Sequence, residues 1–170
     1  MAITNRRMTE ADAPTLHNFM VDVLANDSAL GGGTAATADH LAQQVANGLQ
    51  TWLAIESGAI VGVLGPQISG MRATDAGEIR SYHYYGRGIV HYTKTAVQAL
   101  RIIKNLALFA VTDTRNQGKL PDDIVIEGAT ACQGATWCRH IGAEETVLDA
   151  INSRFIIPVL LLEERFKAVK

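Results

Sequence analysis

The chain has few of the residues that mark a specialised class. Two cysteines, Cys132 and Cys138, in 170 residues cannot build the dense disulfide frame of a small secreted domain. Their spacing also matches no common zinc pattern, which needs two pairs or a Cys/His set. Basic charge is not in excess: fifteen Lys plus Arg stand against seventeen Asp plus Glu, a net charge of −2. A nucleic-acid binder advertises a basic surplus, so no nucleic acid is expected as a partner. Long apolar runs are missing. The longest, Phe155 to Leu162, is far short of the ~20 residues that span a bilayer. The opening MAITNRRMTEADAP lacks the apolar segment of a secretory signal. The expectation is a cytoplasmic chain with no membrane partner. No Ser-His-Asp order, Walker loop or HExxH motif occurs. His83, His91 and His140 form no i, i+4 pair on one helix, so no metal is expected either.

What is present is ordinary globular material, 48% hydrophobic and 19% charged. The length is that of one domain, 1–170. Residues Ala2 to Met8 read as extended. Thr9-Glu10-Ala11-Asp12 has the form that caps a helix, and Leu16, Phe19, Met20, Val23 and Leu24 continue it as an apolar stripe. A Gly31-Gly32-Gly33 loop follows, a linker rather than a phosphate cradle because no Walker lysine accompanies it. Thr37 caps a second helix that stops near Asn47-Gly48.

Two strand-like runs, Thr51 to Ile55 and Ala59 to Leu64, flank the Glu56-Ser57-Gly58 turn and read as a hairpin. Gly65-Pro66 suggests a bulge or an edge. Glu78 to Tyr85 reads as a third strand, and Ile89 to about Val111 as the longest helix. Ile124-Val125-Ile126 is a short apolar strand of the kind found mid-sheet. Gln133 to Ile141 is expected to be a helix closed by Gly142. Two last strands, Glu144 to Leu148 and Arg154 to Leu162, complete the chain, with Pro158 at an edge or bulge. The fold class is therefore α/β (α+β), a mixed central sheet of about six to seven strands flanked by about four helices.

That order resembles the GNAT fold of the GCN5-related N-acetyltransferases. The segments that carry the likeness are Ile3 to Ala13, the hairpin from Trp52 to Leu64 with Gly62 inside it, and Trp137-Cys138-Arg139-His140-Ile141-Gly142-Ala143. The family's diagnostic loop, Gln/Arg-x-x-Gly-x-Gly/Ala, is matched by His83-Tyr84-Tyr85-Gly86-Arg87-Gly88 before the helix from Ile89, with His83 in place of Gln or Arg. Glycines let backbone amides approach an anion, and a helix N-terminus adds partial positive charge. The resemblance implies that His83, Gly86, Arg87, Gly88 and Ile89 bind the pyrophosphate of acetyl-coenzyme A. The alternative is a strand-to-helix turn that binds nothing.

Acetyl transfer to an amine also needs a base, and Glu127 and Glu78 are the candidates, each otherwise a solvated carboxylate. Cys138 occupies the position matching the family's acid, a tyrosine, or else is a small buried hydrophobe. Ala131 stands where many members carry asparagine. The acceptor would be a small-molecule or protein amine. The chain is also similar to small internal virion proteins of short-tailed bacteriophages, which implies a non-catalytic alternative located in the virion. In that reading protein partners or a second copy would bind through the Phe155–Leu162 segment.

Overall fold

The computed structural model describes residues 2–26, 35–66, 79–86, 96–118, 123–131 and 133–167. Strand β1 (Thr4–Arg7) leads into a 3-10 turn (Glu10–Asp12) and helix α1 (Ala13–Asn26). The Asp12 carboxylate accepts from both the backbone N–H and the hydroxyl of Thr9, each at 2.8 Å. The capping residue expected at Thr9 therefore opens the 3-10 turn, and the α-helix begins three residues further on. Helix α2 (Ala38–Ala46) starts where its cap predicts, with Thr37 Oγ1 accepting from the His40 N–H at 3.2 Å. It ends at Asn47, and Gly48 follows at φ +80°.

Strands β2 (Trp52–Glu56) and β3 (Ala59–Pro66) form the expected hairpin. Its turn places Ser57 at φ 54° and Gly58 at φ 82°, the double positive φ that matches the strand twist in a two-residue turn. The irregularity lies between the pairs Ala54–Gly62 and Ile55–Ile60, where β3 carries the extra residue Val61, not at Gly65-Pro66. β3 is an inner strand, and Pro66 is tolerated because the β2 ladder has already ended at Trp52–Leu64. Pro66 pairs on its other side with Tyr82.

Strand β4 (Ile79–Gly86), helix α3 (Ala96–Asn116) and strand β5 (Asp123–Ala129) form a parallel crossover unit. α3 runs five residues past its expected end at Val111. Buried Thr114 continues the apolar face, with its hydroxyl donating to the Ala110 carbonyl at 2.7 Å. The expected start at Ile89 lies outside the described residues, as does Gly31-Gly32-Gly33. Helix α4 (Gln133–Ile141) closes at Gly142, φ +88°. The Ala143 N–H bonds back to the Cys138 carbonyl at 3.0 Å, a helix stop that a left-handed glycine makes possible.

Strand β6 (Glu144–Val147) and strand β7 (Asn152–Pro158) pair antiparallel. The chain then turns helical: α5 spans Val159–Lys167. This corrects the expected strand Arg154 to Leu162. Pro158 ends the ladder because it cannot donate, and buried Val159 and Leu162, three apart, carry on at helical spacing.

The sheet order is β1-β2-β3-β4-β5-β7-β6. β7 therefore lies between β5 and β6, and Phe155, Ile157, Val159 and Leu162 are all 2% exposed or less. The strand part of the segment expected to form an interface is thus an inner strand with no free edge, while Leu160 on α5 is exposed.

Helices cover both faces. On one, α1 and α2 pack Leu16, Met20 and Leu41 against Leu53 and Val63. On the other, α3, α4 and α5 pack Ile102, Leu106, Cys138 and Leu162 against Trp52, Leu64 and Phe155. Trp52 and Leu53 point to opposite faces, as the period of two along a strand requires.

Candidate functional site

β4 and β5 run parallel, and the carboxyl ends of such strands are where open sheets receive ligands. Their pairing is brief. It runs from Ile79–Ile124 to Tyr82–Ile126, with an extra residue in β4 between the two pairs. Beyond Tyr82–Ile126 both strands continue, and the described residues form no further β4–β5 pair. β4 stays on β3 through the pairs Gly65–His83 and Gly62–Gly86, and β5 stays on β7 through Glu127–Arg154 to Ala129–Asn152. The two strand ends past that last pair, the lips 83–86 and 127–129, are neighbours at the carboxyl end of β4 and β5.

His83 is the first residue of one lip, and Gly86 is its last and ends β4. Glu127 is the first residue of the other lip. Three residues singled out in the sequence thus lie past the last β4–β5 pair, on two neighbouring strands. Glu78, Arg87, Gly88 and Ile89 lie outside the described residues. Cys138 lies on neither strand. It sits on α4, 1% exposed, within the cluster that holds Phe155, Ile157 and Leu106.

Two features at the same end of the sheet are not predicted by the sequence. Arg154 stands directly opposite Glu127, and this facing depends on register, which no local motif encodes. Just past β5, Thr130 Oγ1 and the fully buried Ser153 Oγ form a 2.9 Å hydroxyl pair. The Thr130 N–H donates to the Ile151 carbonyl at 2.8 Å, which anchors the β6–β7 turn to the end of β5.

The charges of that turn are committed to structure. Asp149 Oδ1 accepts from the N–H groups of Ile151 and Asn152, both at 2.8 Å, and the Asn152 amide and these N–H groups lower its pKa. Arg139 donates Nε to Glu145 Oε2 at 2.8 Å and a terminal nitrogen to Oε1 at 2.6 Å. With a further hydrogen bond from Ser153, this pulls the Glu145 carboxyl down to about 2. Both carboxylates stay ionised at neutral pH and neither is available as a proton acceptor.

No protein-family model and no curated protein matches the sequence. Solved structures do match the fold. An N-acetyltransferase from Thermoplasma acidophilum, in complex with coenzyme A, superposes with a TM-score of 0.60 at 13% identity, over 93% of this chain and 99% of that one. A GNAT-superfamily phosphinothricin acetyltransferase from Sinorhizobium meliloti, in complex with acetyl-coenzyme A, gives 0.57 at 15% identity, over 92% and 87%. A ribosomal-protein-alanine N-acetyltransferase from Brucella melitensis gives 0.58 at 17% identity, over 90% and 97%. The chain has the GNAT fold.

Proposed function

We propose that the chain is an acetyl-coenzyme A-dependent N-acetyltransferase, a single GNAT-like domain over residues 1–170 that acts on a small-molecule or protein amine. The observation that supports this most is the GNAT fold shared with acetyltransferases solved with coenzyme A or acetyl-coenzyme A, together with the last β4–β5 pair at Tyr82–Ile126 and the glycine-bearing residues that follow β4 in sequence. In this reading the amides around Gly86, Arg87 and Gly88, with Ile89 following, hold the pyrophosphate, and Arg87 adds a formal charge. His83 stands on the same lip. The peptide groups of 83–86 and 127–129 bond the amides of the linker arm. Bound acetyl-coenzyme A supplies the acetyl group as an activated thioester.

Glu127 accepts the proton of the incoming ammonium, directly or through a water, and releases it to solvent. Glu78 is the second candidate for that role. Cys138 stands at the acid's position, but its side chain is buried, 1% exposed, within an apolar cluster. Its role in this reading is packing, and the acid function falls to solvent.

Isothermal titration with acetyl-coenzyme A tests the reading. The expected result is micromolar binding, about −8 kcal/mol, weakened at least tenfold by Gly86→Val or Gly88→Val. A flat titration of the unmodified protein removes the transferase assignment. Unchanged affinity in Gly88→Val removes the phosphate loop alone.

A further inference from the structure

We propose that the β6–β7 turn, Val147 to Ile151, is the docking surface for the acceptor, and that the acceptor is a polypeptide with apolar residues next to its amine. The inference rests on the transferase reading for the chemistry done there, though not for the surface itself. The five residues from Val147, at the end of β6, to Ile151, just before β7, are all exposed. Val147, Leu148 and Ile151 are 66%, 42% and 60% exposed. The other large exposed apolar residues among those described, Val21 and Leu160, stand singly on α1 and α5. Single apolar residues on a surface are ordinary, whereas a group of them in one place marks a contact.

The turn is held in shape. Asp149 Oδ1 accepts from the Ile151 and Asn152 N–H groups, both at 2.8 Å, and Asp149 Oδ2 accepts from Asn152 Nδ2 at 2.9 Å. The Leu148 N–H donates to the Asn152 carbonyl at 3.0 Å. A partner therefore meets side chains on a backbone already in place, and less freedom is lost on binding.

The place of the turn selects the partner. The Thr130 N–H donates to the Ile151 carbonyl at 2.8 Å, and Thr130 Oγ1 lies 2.9 Å from Ser153 Oγ, so the turn is tied to the carboxyl end of β5. Open sheets receive ligands at that end of their parallel strands. Side chains this exposed line no cavity, and a small amine is held by burial in one. An extended chain has no such need, since it can lay an apolar side chain across Val147, Leu148 or Ile151. A permanent second copy suits the patch no better. Three side chains fall well short of the ~800 Å² that each partner gives to a stable interface. A contact of that size fits a chain that binds, reacts and leaves.

Methyl NMR of the full chain, with coenzyme A present, tests the surface. The probes are two hexapeptides with a free N-terminal alanine, one continuing with leucine and phenylalanine, the other with serine and asparagine. The expected result is a saturable shift of the Val147, Leu148 and Ile151 methyl signals with the apolar peptide and none with the polar one. Val147→Ser and Ile151→Ser should each weaken that binding by about three- to tenfold and, being exposed positions, leave the unfolding midpoint in place. Leu148→Ser serves if either variant disturbs the fold. Equal shifts with both peptides, or none with either, overturn the inference. So does a dimer in sedimentation that Ile151→Ser dissociates, because the occupant would then be a second copy. A parallel acetyl-coenzyme A titration separates the two claims. A flat titration with the peptide shifts intact removes the transferase reading and leaves a peptide-docking turn, whereas bound thioester with unmoved methyl signals removes the turn alone. Where both bind, kcat/KM for acetylation should favour the apolar peptide, and the preference should shrink by the same factor in Ile151→Ser.

Discussion

Gly62 of β3 lies directly under Ile102 of α3: a Cβ built on the glycine would stand 2.6 Å from Ile102 Cγ2 and 3.7 Å from Leu106 Cδ2. The helix that crosses from β4 to β5 therefore rests on bare backbone. Gly62 also pairs with Gly86 at the end of β4, so this close approach sets the height of α3 over the end of that strand.

Gly62→Ala should destabilise by about 1–3 kcal/mol through overpacking, a fall in Tm of roughly 2–10 °C at this chain length. Ile102→Ala removes the atom that clashes but leaves a cavity, at a cost of ~2–5 kcal/mol. The double variant should therefore cost less than the sum of the two, with a coupling of about 1 kcal/mol or more. Urea unfolding of the four proteins measures it, and strict additivity would show that Ile102 does not rest on Gly62.

Elements whose ends are written in local chemistry are legible from the residues alone. Ser57-Gly58 fixes the β2–β3 turn, Thr37 starts α2, and Gly142 ends α4. The C-terminal run is not legible in this way, because eight successive apolar residues fit a buried strand and a buried helix equally. The chain uses both, strand to Pro158 and helix from Val159. Residue type and order are enough to name Glu127 and His83 as candidates. Their placement past the last β4–β5 pair, and Arg154 opposite Glu127, follow from register between strands far apart in sequence. Tertiary packing sets that register, and no short motif carries it.

Ile157 and Leu160 separate the core role of the C-terminal segment from an interface role. Ile157 is fully buried in β7, while Leu160 on α5 is 72% exposed. Ile157→Asp should leave the chain unfolded, since an unpaired charge in that position costs several kcal/mol. Leu160→Glu should change stability by no more than about 0.5 kcal/mol and leave the sedimentation behaviour unchanged. If Leu160→Glu dissociated an oligomer, the exposed start of α5 would be a contact surface after all.

Asp113 joins three elements, and its two main partners should differ in weight. Its Oδ2 accepts from the indole Nε1 of Trp52 at 2.8 Å and from Arg7 Nε at 2.5 Å. Trp52 is 1% exposed, so stranding its N–H costs about 1–3 kcal/mol. Arg7 is 47% exposed at its side chain, and such pairs are worth ~0–1 kcal/mol. Asp113→Leu should therefore destabilise clearly more than Arg7→Met in thermal or urea unfolding. Equal losses would move the weight to the ion pair.

The same carboxylates set how the protein meets acid. The hydrogen bond from Arg7, followed by that from Trp52, holds the Asp113 carboxyl below its ordinary value. Arg6, with Thr9, does the same for Asp12. A folded-state pKa below the unfolded one means that the native chain binds fewer protons as pH drops, so acid favours unfolding. The stability these groups contribute is complete above the unfolded value of about 4 and is lost as pH falls through their lower folded values. Both arginines are 47% exposed at their side chains, so each pair should contribute no more than about 1 kcal/mol. Urea midpoints measured from about pH 6 to about pH 3 should hold steady and then fall, starting below about pH 5. In Asp12→Asn/Asp113→Asn the protein should start less stable at pH 6, and its acid slope should be shallower. A double variant with an unchanged slope would assign the acid response to other carboxylates, of which Glu145, clamped by Arg139, is the next to replace.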